Sequence, residues 1–297
     1  MLWLGDSRGY LADWITQLWV RATGRRVDLS QMPWLDGPVG PPRGIGTHFF
    51  SDLATREGLE IRREGERGLI PDFTALAATD FAPHLVHPSV VDFYTRTSAY
   101  DLDAWAEWCG VFQPFGWLLA RVFSRRLQQL NVPLSGLDTS RGITSDVVQL
   151  VDPGSRTVRH TAWVRELLVS GNVLYAGDYS LAEVPNRLGR CVRVVFPLPN
   201  GNAMVLMRPQ VHPDGSLSVI SAGRAFGDPG FYFTVHDQQG RVWARYLRAL
   251  KESIRVFPNE NGYVRADHVL TLWGATFLRL HYRLSLRSPV GHSFAAT

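Results

Sequence analysis

Lysine is almost absent from this chain. Of its 31 basic residues, Lys251 is the one lysine and the others are arginine. A Schiff-base or lysine-nucleophile mechanism would have to run through that side chain, in a polar turn region with nothing to desolvate it. Cysteine is also scarce: Cys109 and Cys191 are far apart and fit neither a metal-ligand nor a redox spacing. The net charge is a modest +4 and no basic run occurs, which argues against nucleic acid as a partner. Long apolar runs are missing too. The aromatic-rich stretch Trp108–Ala120 is too short to span a bilayer and contains Pro114. Asp6 and Arg8 stand where the apolar core of a signal peptide would lie, so the expected setting is soluble and cytoplasmic.

Several motifs are present only in part. "PHLVHP" brings His84 and His87 together without a third ligand, so no metal is expected. "GRAFGDPGFYF" (223–233) lacks the Gly-Lys-Ser/Thr ending of a phosphate loop and reads as a turn between strands, so no cofactor is expected. In "RADHVLTLWG", Asp267 and His268 are adjacent and cannot face each other along a strand. Gly5-Asp6-Ser7, after a short apolar run, resembles the nucleophile motif of a class of serine esterases. That class also needs an Asp-x-x-His pair and an alternating β/α chain, and this sequence has neither. With no Gly-x-Ser-x-Gly elbow elsewhere, Ser7 or Asp6 reads as the N-cap of the helix that follows.

The chain changes rhythm near residue 140. Before it, Leu11, Trp14, Ile15, Leu18, Trp19 and Ala22 form one stripe of an amphipathic helix. That helix carries arginines and packs on the second half or lies on an anionic membrane surface. Proline and glycine then punctuate "PWLDGPVGPPRGIG", a charged connector follows, Asp101–Trp108 reads as helix, and 114–130 carries a cleaner helical stripe. The segment "GWLLARVFSRRLQQLNVPLS" resembles uncharacterised bacterial proteins of no assigned activity, a resemblance confined to about residues 114–135 that implies no catalytic residues.

From Ile143 the period becomes two, with turn signals at Asp152-Pro153-Gly154, Ser170-Gly171, Asn200-Gly201 and Pro213-Asp214-Gly215. In "LRLHYRLSLR" leucines and Tyr282 alternate with Arg279, His281, Arg283 and Arg287, as in a sheet with one buried face. The expected fold class is α+β. A helical and irregular region, 1–140, packs on an antiparallel β-barrel, 141–288, of roughly eight to ten strands, with a tail at 289–297. The barrel is lipocalin-like by shape analogy alone.

Two hairpins carry the functional expectations. A two-residue Asn200-Gly201 turn would set Arg193 directly across from Arg208, beside Val195, Pro197, Met204 and Leu206, with Val192, Val194, Phe196 and Met207 on the other face. Paired guanidiniums need water, a carboxylate or a bound anion to offset them. A two-residue Ser170-Gly171 turn would pair Trp163 with Asp178 and put His160, Glu166, Tyr175 and Tyr179 on one face, and Trp163, Arg165 and Asp178 on the other.

The leading expectation is therefore a barrel cavity holding a hydrophobic or amphiphilic small molecule. Its ligand residues would be Arg193, Arg208, Met204, Leu206 and Tyr232. The alternatives are a cofactor-independent cyclase, isomerase or hydrolase using His160, Asp178 and Tyr179 for proton transfer, and a membrane-surface or protein-interaction module built on the N-terminal helices.

Overall fold

The computed structural model describes residues 11–42, 45, 48–110, 112, 114, 143–167, 173–259 and 263–287. Gly5-Asp6-Ser7, most of the 114–135 segment, the Ser170-Gly171 turn and the tail lie outside the described residues.

Among the described residues, three α-helices, α1 (Leu11–Thr23), α2 (Phe49–Glu57) and α3 (Pro88–Thr95), accompany a single 14-stranded sheet. The first half of the chain supplies β1 (Arg25–Val27), β2 (Glu60–Arg62) and β3 (Tyr100–Trp108). The second supplies β4 (Ile143–Val151), β5 (Val158–Leu167), β6 (Val173–Glu183), β7 (Arg190–Leu198), β8 (Gly201–Val211), β9 (Leu217–Ser221) and β10 (Phe231–His236). It continues with β11 (Val242–Leu247), β12 (Leu250–Pro258), β13 (Val264–Leu272) and β14 (Ala275–Leu286). The meander thus has eleven strands, and three more join the sheet from the first half. All strand pairs are antiparallel, in the order β2-β4-β5-β6-β7-β8-β9-β12-β13-β14-β3. Strand β8 bends between two partners: Gly201–Val205 pairs with β10, which carries β11 and β1, while Arg208–Val211 pairs with β9.

Among the described residues no ladder joins β3 to β4, so the sheet is not closed into a barrel. Side chains bridge that seam instead. Arg67 donates from Nε to the Val147 carbonyl at 2.6 Å, and its backbone N–H reaches Ser98 Oγ at 2.9 Å. Arg287 donates to the Ser145 carbonyl at 2.8 Å and to Asp101 at 2.9 Å.

Residues 101–108 form a strand where helix was expected. Buried Tyr100, Leu102 and Ala104 alternate with Asp101, Asp103 and Trp105, a period of two. What fixes the strand is its neighbour. Asp101, Asp103 and Glu107 each meet an arginine of the β14 end, Arg287, Arg283 and Arg279, at 2.9, 2.6 and 3.5 Å. Opposite charges across adjacent strands contribute about 0.2–1 kcal/mol each.

Helix α1 also departs from expectation. Its buried line is Asp13, Gln17 and Val20, while Ile15 and Trp19 of the apolar stripe stay exposed. Gln17 is buried because it serves the β7–β8 turn: its Nε2 donates to the Pro199 carbonyl at 3.1 Å, and Asn200 Nδ2 donates to its Oε1 at 3.4 Å.

The outer face of the sheet is covered by the first half of the chain. Helix α2 sets Phe49, Phe50 and Leu53 over Val148, Leu150, Ala162 and Ala176. A 3₁₀ turn at Pro33–Leu35 sets Trp34 and Leu35 over Val195, Met204, Leu206 and Tyr232. Helix α3 packs Phe93 and Tyr94 against the inner side, in one cluster with Trp163, Val205 and Leu284.

Candidate ligand cavity

The inner face of the curved sheet encloses a cavity of about 710 Å³. That falls within the ~300–1,000 Å³ usual for small-molecule sites. Val194, Phe196, Val205, Met207, Leu280 and Leu284 contribute to its apolar lining, and Phe93 and Tyr94 face it from α3. Ile15 and Trp19 line it as well while remaining exposed, which places α1 at its rim.

A group of polar side chains on two sets of adjacent strands interrupts this lining: Arg165 on β5 with Tyr175 and Tyr179 on β6, and Glu252 on β12 with His268 on β13 and Tyr282 on β14. Ile254 pairs with His268 and Glu252 with Leu270, so Glu252 and His268 are diagonal neighbours on one face. His268 Nε2 stands 2.8 Å from Glu252 Oε1 without the alignment of a hydrogen bond, and the other imidazole nitrogen stands 3.4 Å from the Tyr282 hydroxyl. The His268 and Tyr282 rings stack at 6.2 Å. The Tyr175 and Tyr179 hydroxyls bond to each other.

Arg165 is 6% exposed and lies over aromatic faces: Trp163 at 3.4 Å, Tyr175 at 4.6 Å and Tyr282 at 5.5 Å. It makes no ion pair among the described residues, and its Nε has no hydrogen-bond partner. Cation–π contact contributes about 2 kcal/mol where desolvated, whereas burying an unpaired ion costs several. The phenols around it stay protonated. Burial raises Tyr175, with Tyr179 adding to it; burial also raises Tyr282 and pushes Tyr179 up to about 12, although the Arg165 charge opposes each shift. The wall therefore offers one cation, neutral hydroxyl donors and a histidine–carboxylate pair.

The residues singled out from sequence divide between the two faces. Tyr179 lines the cavity. His160 and Asp178 do not: they bond to each other at 3.0 Å on the outer face, where His160 Nε2 also stands 3.3 Å from Glu57 of α2 and Asp178 accepts the Thr161 N–H at 3.0 Å. The expected pairing of Trp163 with Asp178 is replaced by Trp163 with Gly177 and Ala162 with Asp178. On the turn side the register is two residues from the expected one, Glu166 with Val173, and the bulge at Arg165/Glu166 makes the offset odd, which exchanges the faces of one strand relative to the other. Trp163 and Arg165 thereby join Tyr175 and Tyr179.

Arg193 and Arg208 are not opposite each other. Arg193 pairs with Leu206, and Arg208 with Ile220 of β9. The turn is Pro199-Asn200 rather than Asn200-Gly201, with Asn200 at φ 57°, the Pro-then-left-handed pattern of a type II turn. Gly201 is instead the first paired residue of β8, where β10 crosses so closely that a Cβ would fall 1.9 Å from the Thr234 carbonyl oxygen. Arg193 faces outward, donating to Ser180 Oγ at 2.8 Å and to the Asp36 carbonyl at 2.7 Å. Met204, Leu206 and Tyr232 form the layer beneath Trp34, and the Tyr232 hydroxyl donates to the Asp228 carbonyl at 2.6 Å. The face expected to be plain core, Val192, Val194, Phe196 and Met207, is the one that looks inward. Glu252 escaped the sequence reading, and His268 was weighed there only beside Asp267; the available signal was their position in register with inward-facing Ile254, Val256, Ala266 and Leu270.

Among the described residues no cluster of three or more His, Cys, Asp or Glu is arranged to hold a metal ion, and no helix is long and apolar enough to cross a membrane. No family model matches the chain, nor does any solved structure. It is similar to the uncharacterized membrane protein YndJ of Bacillus subtilis (strain 168), at 25% identity over 251 residues. That match takes in 84% of this chain and 43% of the relative, so the chain spans less than half of the relative's length.

Proposed function

We propose that the protein binds an apolar or amphiphilic small molecule in the cavity of the curved sheet. The observation that carries this reading is the 710 Å³ space itself, walled by hydrocarbon and interrupted by polar side chains in one region. The relative is named a membrane protein, which favours a lipid-derived ligand over a water-soluble metabolite. Native mass spectrometry of gently purified protein tests the proposal. A bound mass removed by organic extraction is expected, and Val205→Trp, which narrows the cavity, should purify with less of it. Absence of any adduct, together with no binding of a neutral apolar dye, would overturn it.

A second reading is favoured by the 2.8 Å contact of His268 with Glu252 on the cavity wall. A histidine beside a carboxylate is suited to proton transfer, and on this reading the protein is a cofactor-independent enzyme acting on the same ligand. Under that reading the molecules extracted from His268→Gln differ in chemical identity from those of the wild type. Identical extracts leave binding alone.

A further inference from the structure

We infer that the cavity selects a monoanionic amphiphile, a long-chain carboxylate, whose head group lies on Arg165. The inference rests on the cavity-binding reading and names the class of ligand. Arg165 reaches the cavity with 6% of its surface exposed, and no carboxylate pairs with it among the described residues. The aromatic faces of Trp163, Tyr175 and Tyr282 hold the guanidinium in place, but they carry no counter-charge. Buried ions in proteins are matched by an opposite charge. The other acid on this wall, Glu252, has its Oε1 2.8 Å from His268 Nε2, and Asp13, which also lines the cavity, belongs to the rim helix α1. The place opposite Arg165 is therefore left for the ligand.

Charge and shape define that ligand's head. A carboxylate brings one negative charge and two coplanar oxygens, which suit the guanidinium fork. A phosphate monoester would bring nearly two charges and leave an excess beside Glu252. A neutral alcohol would leave the cation uncompensated. Tyr175, Tyr179 and Tyr282 supply hydroxyl donors around the same point, and Val194, Val205, Met207 and Leu280 continue the wall as hydrocarbon for an alkyl chain.

Displacement of Nile red, an uncharged dye, from the full chain tests this with three ligands of one chain length: hexadecanoate, hexadecanol and hexadecyl phosphate. Hexadecanoate is expected to displace the dye at about tenfold lower concentration than either of the others. In Arg165→Met the acid-to-alcohol ratio should fall to within about twofold. Equal potency of acid and alcohol on the wild type overturns the inference, as does a ratio that survives in Arg165→Met or a phosphate that outcompetes the acid. Failure of Nile red to bind the wild type defeats the cavity reading instead. Where Arg165→Met does not fold, the three wild-type ligands decide.

Discussion

Two histidine–carboxylate pairs sit on opposite faces of one sheet, His160–Asp178 outside at 3.0 Å and His268–Glu252 inside at 2.8 Å. The residue types and the separations are nearly the same, but the surroundings differ. Outside, the polar atoms are taken up: Asp178 holds the Thr161 N–H, and His160 reaches Glu57, tying α2 to β5 and β6. Inside, the pair borders a cavity, with the Tyr282 hydroxyl and a guanidinium that makes no ion pair among the described residues on the same wall. The dyad by itself does not mark a functional site. One copy fastens a helix to the sheet, and the other is free to meet a ligand because hydrocarbon and open space surround it.

The two faces should also differ in how they tolerate lost volume, and this is the largest effect expected. Met204 lies outside at 0% exposure under Trp34; Met207 lies inside at 3% and lines the cavity. Met204→Ala leaves a void in a packed layer and should cost about 2–5 kcal/mol in urea unfolding. Met207→Ala enlarges a space that already lacks partner atoms on one side, so it should cost at least about 1 kcal/mol less. Equal costs would mean that the cavity is packed shut in solution.

Next in size is the outer pair. Asp178→Ala strands the Thr161 N–H and removes the His160 partner, and an expected loss of about 1–3 kcal/mol follows. Ligand displacement should be unchanged, because no atom of Asp178 reaches the cavity. A change in binding without a change in stability would reverse the roles given to the two pairs.

The same contrast shows which features the sequence made legible. Alternation placed β14 and β7–β8 with their faces correct, because burial on one side forces a period of two. Faces survived even where the β7–β8 register moved, since the shift kept the same residues on each side. Hairpin β5–β6 was misread because a bulge at Arg165/Glu166 is a local event with no signature in apolar spacing. Asp101–Trp108 was misread because its strand depends on arginines of the β14 end, about 180 residues away. The choice between inside and outside was hardest. Both faces of β8 are apolar, and only the packing of Trp34 and Leu35 on one of them leaves the other to the cavity.

The smallest expected effect concerns proton binding at the outer pair. Burial by itself disfavours the charged His160 imidazole, but the hydrogen bond and charge of Asp178, together with Glu57, outweigh it and hold its pKa above the ordinary 6.5. A group whose pKa is higher in the folded than in the unfolded chain takes up protons on folding. Its stabilisation is complete below about 6.5 and fades as pH rises through the raised value. The stability gap between wild type and His160→Gln should therefore be wider near ~pH 5.5 than near ~pH 8.5. In an Asp178→Ala background the gap should lose most of that pH dependence, because the largest interaction raising the pKa has gone. A gap that stays level across this range in the wild-type background would mean that His160 holds α2 to the sheet as a neutral ring, and the outer pair would then be a hydrogen bond without an ionic component.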